Sequence, residues 1–320
     1  MALDVALIGP LNVDLLITGS APIDIGELTH WAGPSNVMLC AAGSVGYITQ
    51  DLARLGLNVG VVSTLADDPF GDAVQRIIGE AGVDVSHVSR EPDTLSGIGV
   101  YMLLFGSKKR PLTYRLPTHK PWPIKFSRED TDYLLSARHL HCAGYLHFPD
   151  MWNDEIATLF GAARARGLTT SLDPQFVLFP IDTPWMEPLV DLLKVTDLLM
   201  LDEDEARQIA QIDDLRIAAR MLHEAGPVTV VIKRGAQGSL IYADSLVFEQ
   251  LAMAVPADEI VESIGAGDAF DAGLIAGQLA GWPIERSLRF ATAAAASTRR
   301  GSGGTQNLAS RSELERAAES

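Results

Sequence analysis

The sequence predicts a three-layer α/β fold, in which helices cover both faces of a mostly parallel central sheet and a small second sheet lies beside it. Short runs of β-branched residues alternate with longer stretches of helical spacing, a rhythm typical of βαβ units. Two long segments, at about 11–40 and 95–122, break this rhythm. Both are strand-like, rich in turn residues and too long for simple connections, so we expect them to form the small sheet.

The alternating part of the chain predicts the elements in order. Buried apolar runs indicate strands at 5–10, 58–66, 140–148, 168–173, 197–201 and 228–233. Helical spacing indicates helices at 44–56, 68–82 and 153–167, one that begins near 205, and a long alanine-rich helix after Gly267. Gly56 suits a helix C-cap, and Asp68 followed by Pro69 is a favourable helix start. From Gly301 a glycine-rich loop leads to a short terminal helix.

Composition excludes several classes of protein. The 320 residues are 47% hydrophobic, and the net charge of -16 is unsuited to binding the phosphate backbone of nucleic acids. The two cysteines, Cys40 and Cys142, are far apart, which suits the reducing cytoplasm rather than a disulfide framework. The first residues resemble a strand and not a signal peptide, and no apolar run approaches the roughly 20 residues of a membrane span. We therefore expect a cytoplasmic protein.

The stretch VESIGAGDAF, residues 261–270, carries the clearest chemical signal. Gly265, Ala266 and Gly267 leave the amides of a helix N-terminus open to a ligand, and such amides bind anions, phosphate above all. Asp268 would be repelled by that anion unless it accepts a proton from a hydroxyl that attacks the phosphorus. The alternative is a tight turn with Asp268 as the helix N-cap.

This stretch resembles the C-terminal signature of the ribokinase, or PfkB, family of carbohydrate kinases. Further segments resemble family motifs in the same order along the chain. They are Asn12 and Asp14 after the first strand, 41–56, 67–71, 201–206 with Glu205, and 233–238. The resemblance covers nearly the whole chain and implies a single ribokinase-like kinase domain over 1–320, with the two irregular segments as a β-sheet lid.

The resemblance also implies a role for each matching position. Asp268 would be the base, and Gly265, Ala266 and Gly267 the anion hole. The residues of the sugar pocket would be Asn12, Asp14, Gly43, Tyr47 and Gly144. ATP would lie along Asp202, Lys233, Gly235, Gly238, Gly265 and Gly267. Glu205 and Asp202 would organise Mg²⁺ through water, and Glu262 would belong to a monovalent-cation site that takes K⁺.

Departures from the family pattern bear on the substrate. Ala42 replaces a glycine, and Tyr47 stands where the family generally has a sugar-contacting asparagine. Asp202 replaces an asparagine, and Glu262 replaces an aspartate often involved in the monovalent-cation site. Two rivals to a sugar kinase follow: a nucleoside kinase of the same family, with Tyr47 stacked on a base, and a sugar-binding regulator without activity. A homodimer through the lid is a further expectation.

Other candidates are weaker. His139, His141, Cys142 and His147 cluster near one strand, but no metal-binding spacing accompanies them, and Gly144, Tyr145 and His147 are better placed as pocket neighbours. Asp173 would either reach the phosphate region or form a turn with the proline that follows it. The basic segment 107–111 would be a solvated turn of the lid. The sequence contains neither a Walker motif nor a G-x-G-x-x-G after the first strand, which excludes the common P-loop and dinucleotide-binding patterns.

Overall fold

Two separate β-sheets organise the protein. The computed structural model describes residues 2–19, 35–103, 112–115, 125–178, 181–244 and 246–319. In chain order the strands are β1 Val5–Ile8, β2 Asn12–Gly19, β3 Ser35–Ala42, β4 Val59–Ala66, β5 Asp84–Glu91, β6 Ile98–Leu103, β7 Leu112–Arg115, β8 His139–Ala143, β9 Thr169–Asp173, β10 Leu198–Asp202, β11 Thr229–Lys233, β12 Ser239–Ala243 and β13 Leu246–Gln250.

The central sheet contains nine strands in the order β13-β12-β11-β10-β9-β8-β1-β4-β5. Every pair from β5 to β11 is parallel, whereas β12 and β13 are added by antiparallel pairing. The second sheet contains four strands in the order β3-β2-β6-β7, and its β2–β6 pair is parallel. The carboxyl ends of the parallel strands therefore meet at one edge of the central sheet.

Helices cover both faces of the central sheet. They are α1 Gly46–Arg54, α2 Pro69–Glu80, α3 Arg128–Leu134, α4 Asp154–Ala165, α5 Val190–Leu193, α6 Glu203–Ala210, α7 Leu215–Glu224, α8 Ala266–Leu279, α9 Ile284–Thr298 and α10 Arg311–Glu319. Along β1, Val5 and Leu7 pack with α1, α2 and α8–α10, while Ala6 and Ile8 pack with α3–α7. Because successive side chains of a strand point to opposite faces of the sheet, alternate residues of β1 belong to two hydrophobic cores, one on each face.

The predicted fold class is confirmed, and most element positions agree with the structure. Helix α2 begins after Asp68, whose side chain accepts a hydrogen bond from Gly71 N, with Pro69 as the first helical residue. The four strands of the small sheet come from the segments 11–40 and 95–122, except that β3 continues to Ala42. Within those segments 20–34, 104–111 and 116–122, which include the basic segment 107–111, lie outside the described residues.

Two predicted elements were wrong in extent. The strand expected over 140–148 ends at Ala143, because Gly144 turns the chain into a short 3-10 helix, Tyr145–His147. The long helix expected after Gly267 is two helices, α8 and α9, since Gly281 and Pro283 interrupt it. Among the described residues, no helix combines the length and apolar character needed to span a bilayer.

Candidate active site

A cavity of about 710 Å³ lies where β9, β10 and β11 end, at Asp173, Asp202 and Lys233. The structure brings almost all of the predicted site residues to its wall. They are Asn12, Asp14, Gly43, Tyr47, Asp202, Glu205, Lys233, Gly235, Gly238, Gly265, Ala266, Gly267 and Asp268. Gly144 and Glu262 do not line it. Residues far apart in sequence thus form one site at the carboxyl edge of the sheet.

One wall of the cavity is built around the buried carboxylate of Asp14. The hydroxyl of Tyr47 donates a hydrogen bond to Asp14 Oδ2 (2.9 Å), and Asn12 Nδ2 donates to Asp14 Oδ1 (3.3 Å). Burial, and then the negative charge of Asp14, raise the pKa of Tyr47 well above its ordinary value. Tyr47 therefore stays a neutral donor, and this wall presents a carboxylate, an amide and a phenol to a ligand.

Gly43 closes the turn between β3 and α1 beside this wall. Its φ of +94° lies in the left-handed region, and a Cβ added there would lie 2.6 Å from both Asn12 Oδ1 and Pro10 O. A side chain would therefore push Asn12 out of place. The glycine keeps the backbone of this turn close to the Asn12–Asp14 pair.

Helix α8 begins with an open turn on the same cavity. Gly265 is the N-cap, in the left-handed conformation (φ +73°), and no side chain caps the helix. Asp268 is the third helical residue, so the alternative that it is the N-cap is wrong. Gly265, Ala266, Gly267 and the Asp268 side chain all line the cavity. The turn therefore presents helix N-terminal amides to the cavity with an acid beside them.

Next to the first turn of α8, Lys233 forms two buried ion pairs. Its Nζ lies 3.0 Å from Asp173 Oδ2 and 2.9 Å from Asp271 Oδ2. Burial alone would lower the pKa of Lys233, but the charges of Asp173 and Asp271 outweigh it, and the pKa is raised well above its ordinary value. Lys233 is therefore fully charged at neutral pH, and its side chain reaches into the acidic cluster instead of pointing away from the sheet.

A second acidic group lies at the start of α6. Asp202 Oδ1 accepts hydrogen bonds from the backbone N–H groups of Asp204 (2.9 Å) and Glu205 (2.8 Å), and Glu205 Oε2 accepts from Asp202 N (2.7 Å). This capping box fixes both carboxylates at the cavity wall. Burial, and then the nearby carboxylates, raise the pKa of Glu205 well above its ordinary value. A cation near Glu205 would relieve this crowding of negative charge.

Ser44 and Gln175 line the cavity beside His147, which the sequence predicts as a pocket neighbour. Ser44 Oγ donates to Gln175 Oε1 (2.7 Å), so the 3.2 Å contact between Ser44 Oγ and His147 Nδ1 needs the proton on His147. Burial lowers the pKa of His147 to about 4, so it is neutral. All three side chains line the cavity, whereas Gly144 packs against Ser44, where an added Cβ would lie 2.0 Å from the hydroxyl oxygen.

The other two histidines of the predicted cluster, His139 and His141, form hydrogen bonds to the neighbouring strand β9. His139 contacts Thr169 Oγ1 and Ser171 Oγ, each at 2.7 Å, and His141 Nδ1 lies 2.8 Å from Ser171 Oγ. In the described part of the chain no group of three or more His, Cys, Asp or Glu side chains is arranged to hold a metal ion. A metal at this site would therefore need oxygen atoms from water or from a bound ligand.

Two buried acids near Asp268 were missed by sequence reasoning. Asp271 had a signal, since it follows Asp268 by three residues in the same helix. Asp51 in α1 had none; it is completely buried, and neither of its oxygens has a hydrogen-bond partner among the described residues. Burial, and then the negative charge of Asp268, raise the pKa of Asp51 well above its ordinary value. Asp51 is therefore a neutral neighbour of the site.

Comparison with known proteins gives consistent results. A sequence model described as pfkB family carbohydrate kinase matches residues 16–311. The chain is 28% identical over 261 residues to 2-dehydro-3-deoxygluconokinase of Thermoproteus tenax, covering 80% of this chain and 78% of that one. It is 27% identical over 287 residues to cytidine kinase of Thermococcus kodakarensis, covering 90% and 92%. The structure of Arabidopsis thaliana ribokinase complexed with ribose and ATP superposes with a TM-score of 0.80 at 23% identity, covering 100% of both chains.

One carboxylate oxygen of Glu262 is held by two backbone N–H groups. Its side chain is 1% exposed, and Oε1 accepts hydrogen bonds from Gly303 N (2.7 Å) and Gly304 N (3.1 Å). The positive ends of these two N–H groups repel a cation at that oxygen. Oε1 of Glu262 is therefore not available to a potassium ion.

We therefore expect potassium to leave the melting temperature unchanged. Values in potassium chloride and in tetramethylammonium chloride of equal ionic strength should agree within about 1 °C, since only an ion bound to the folded state raises stability by mass action. Glu262→Ala should lower the melting temperature in both salts, because each buried N–H left unpaired costs roughly 1–3 kcal/mol. A rise of several degrees in potassium that disappears in Glu262→Ala would contradict this interpretation.

Proposed function

The chain belongs to the pfkB family of carbohydrate kinases, and on that premise we propose that it transfers the γ-phosphoryl group of ATP to a hydroxyl group of a small sugar-like molecule. Family membership confirms the enzyme class predicted from the sequence. The observation that carries the finer proposal is that the open first turn of α8, Asp268 and the Asp14–Tyr47 pair line a single cavity.

In this proposal Asp268 accepts the proton of the attacking hydroxyl. Its side chain lines the cavity in the first turn of α8, whereas the neighbouring acids Asp51 and Asp271 are buried. Burial, and then the charge of Asp268, raise the pKa of Asp51 well above its ordinary value, so Asp51 is a neutral neighbour of the proposed base.

The transferred phosphoryl group would lie on the turn Gly265–Gly267. Ala266 N donates a long hydrogen bond of 3.3 Å to Ser263 O, and a phosphoryl oxygen would be a stronger, charged acceptor for this amide. Amides at a helix N-terminus stabilise charge that develops on such oxygens without needing to reorganise. We assign Gly265, Ala266 and Gly267 to this anion hole.

The acceptor would lie against the wall formed by Asn12, Asp14, Gly43 and Tyr47. A carboxylate, an amide and neutral hydroxyls are suited to a molecule with several hydroxyl groups. Ser44, Gln175 and His147 extend this polar lining. The buried Asp14 carboxylate would orient the acceptor by accepting hydrogen bonds from its hydroxyls.

The nucleotide would extend from α8 along Asp202, Lys233, Gly235 and Gly238. Asp202 and Glu205 supply oxygen atoms, the type of ligand that Mg²⁺ prefers, and their hydrogen bonds in the capping box suit contact through water rather than direct coordination. When bound with ATP, Mg²⁺ would neutralise charge on the phosphate oxygens. The donor set therefore fits this ion.

We also propose that the four-stranded sheet is a lid on a single domain spanning 1–320. Asn12 and Asp14 on β2 and Tyr101 on β6 bring this sheet to the cavity wall. Its inner face packs on Tyr47 and Ile264 next to the site. A lid that excludes water protects the phosphoryl group from hydrolysis. A homodimer through this sheet stays a prediction.

A nucleoside acceptor is the second candidate function. Tyr47, Tyr101, Phe148 and Phe176 line the cavity, and aromatic faces bind the flat base of a nucleoside. The similarity to cytidine kinase of Thermococcus kodakarensis favours the same acceptor class. A regulator without activity is less consistent with the structure, because binding alone does not need Asp268 beside an anion hole. Turnover of ATP across a panel of pentoses, hexoses, sugar acids, polyols and nucleosides separates the three.

The variant Asp268→Asn tests the base. Asparagine keeps the size but cannot accept the proton, so we expect kcat on the best acceptor to fall by about 10²–10⁴-fold. Affinity for MgATP should hold or rise, because a negative charge beside the γ-phosphate is removed. Turnover by a coupled assay and MgATP affinity by calorimetry check both expectations.

The matched control for this experiment is Asp72→Asn. Asp72 lies in the first turn of α2, pairs with Arg90 at 2.6 Å and does not line the cavity, so its loss tests charge removal alone. Its turnover should stay near that of the wild type. An Asp268→Asn enzyme that keeps more than about a tenth of wild-type turnover, against the loss expected for a general base, would remove Asp268 from the mechanism.

The variant Tyr47→Asn tests the acceptor wall. It removes the phenol that donates to Asp14 and opens space beside the aromatic side chains, so we expect the ranking of accepted substrates to change. MgATP affinity should change by less than about twofold, because no nucleotide contact is assigned to Tyr47. An unchanged ranking across the acceptor panel would mean that Tyr47 only packs the site.

A further inference from the structure

Lys233 is placed where it can contact a phosphate as well as its two carboxylates. It is the last residue of β11, its side chain is 15% exposed, and it lines the cavity. An ammonium group has three N–H donors, and Asp173 and Asp271 use two of them. The third is available to a ligand in the cavity.

The distance to the start of α8 identifies which part of a ligand would be contacted. A Cβ added to Gly267 would lie 3.8 Å from Lys233 Nζ, so the ammonium lies against the open turn. Gly267 is exposed in the first turn of α8. An anion bound to the amides of that turn would therefore lie within reach of Lys233 as well.

The cavity is lined mainly by acidic side chains, so the positive charge of Lys233 would matter for binding a phosphate group. Among the described residues that line it, the carboxylates are Asp14, Glu91, Asp173, Asp202, Glu203, Asp204, Glu205 and Asp268, and the cationic side chains are Lys233 and Arg299. A phosphate ligand thus meets a strongly acidic lining. Asp271 Oδ1 has no hydrogen-bond partner among the described residues, and burial raises the pKa of Asp271 well above its ordinary value, although the nearby ammonium of Lys233 acts in the opposite direction.

We propose that Lys233 binds the oxygens of the transferred phosphoryl group, and that Asp173 and Asp271 are positioning residues that hold its ammonium beside Gly267. This rests on the proposed function. In the transfer, the acceptor oxygen forms a bond to the γ-phosphorus and the bond from that phosphorus to the β–γ bridging oxygen breaks. ADP leaves and the acceptor proton moves to Asp268. Lys233 donates a hydrogen bond to a non-bridging γ-oxygen throughout and neither gains nor loses a proton.

The test compares the binding of MgATP and of adenosine to Lys233→Met by calorimetry. A charge-assisted hydrogen bond to phosphate predicts that MgATP affinity falls roughly tenfold to hundredfold. Adenosine lacks the phosphates, so its affinity should stay within about twofold if the rest of the nucleotide pocket is intact. Unchanged MgATP affinity, or an equal loss for both ligands, would overturn the proposal, since a purely structural lysine gives one of those results.

Two further variants serve as a control and as a replacement if Lys233→Met does not fold. Arg234→Met removes the next cation in the chain, which pairs with Glu249 at 2.8 Å and does not line the cavity, and it should bind MgATP like the wild type. If Lys233→Met does not fold, Lys233→Gln combined with Asp271→Asn removes the cation together with one buried acid. It should show the same selective loss of MgATP affinity, and wild-type affinity for MgATP in this double variant would overturn the proposal.

The proposed function and this inference fail in different ways. If the wild type binds MgATP more tightly than Lys233→Met does but phosphorylates no acceptor in the panel, the proposed function fails and the role of Lys233 in phosphate binding stands. If the wild type phosphorylates an acceptor and Lys233→Met retains its MgATP affinity, the function stands and the inference fails.

Discussion

Two buried ion pairs on one lysine fix helix α8 to the carboxyl ends of the central strands. Lys233 ends β11, Asp173 ends β9 and Asp271 lies in the second turn of α8, and the two Nζ–Oδ2 distances are 3.0 and 2.9 Å. Removing one partner from a buried ionic cluster typically costs about 3–5 kcal/mol. The placement of the open turn and of Asp268, three residues before Asp271, therefore depends on this cluster.

Tyr47 connects that helix start to the small sheet. A Cβ added to Gly265 or Gly304 would lie 3.5 or 2.8 Å from the Tyr47 ring, and the Tyr47 hydroxyl donates to Asp14 on β2. The side chain thus packs against Gly265 and Gly304 with its ring and donates a hydrogen bond to Asp14 with its hydroxyl.

The fold was predictable from sequence because hydrophobic periodicity and the residues that start and end helices are local features of the chain. Asp68 and Pro69 start α2 by capping and fixed backbone geometry, and both effects are visible in neighbouring residues. The error at 140–148 arose because a buried apolar run has the same appearance in a strand and in the 3-10 turn that follows Gly144. The break between α8 and α9 contains Gly281 and Pro283, and a proline inside a helical pattern is a local signal that ends a helix.

The site was predictable only in part, for a physical reason. Motif positions lie on short turns whose backbone geometry demands particular residues, as Gly43 illustrates. Side chains such as Asp51, Ser44 and Gln175 reach the site region through tertiary packing, which leaves no local pattern. Lys233 was predicted to lie along the nucleotide. Its ion pairs were not predictable, because Asp173 and Asp271 are 60 and 38 residues away in the sequence and no spacing pattern links them to Lys233.

In the proposed reaction, the phosphates of ATP bind at the start of α8. The most direct measurement is a crystal structure of the wild type with Mg²⁺ and a non-hydrolysable ATP analogue. We predict γ-phosphate oxygens at hydrogen-bond distance, about 2.7–3.2 Å, from amides of the turn Gly265–Gly267 and from Lys233 Nζ. Phosphates bound elsewhere in the cavity, with this turn contacting only water, would contradict the account.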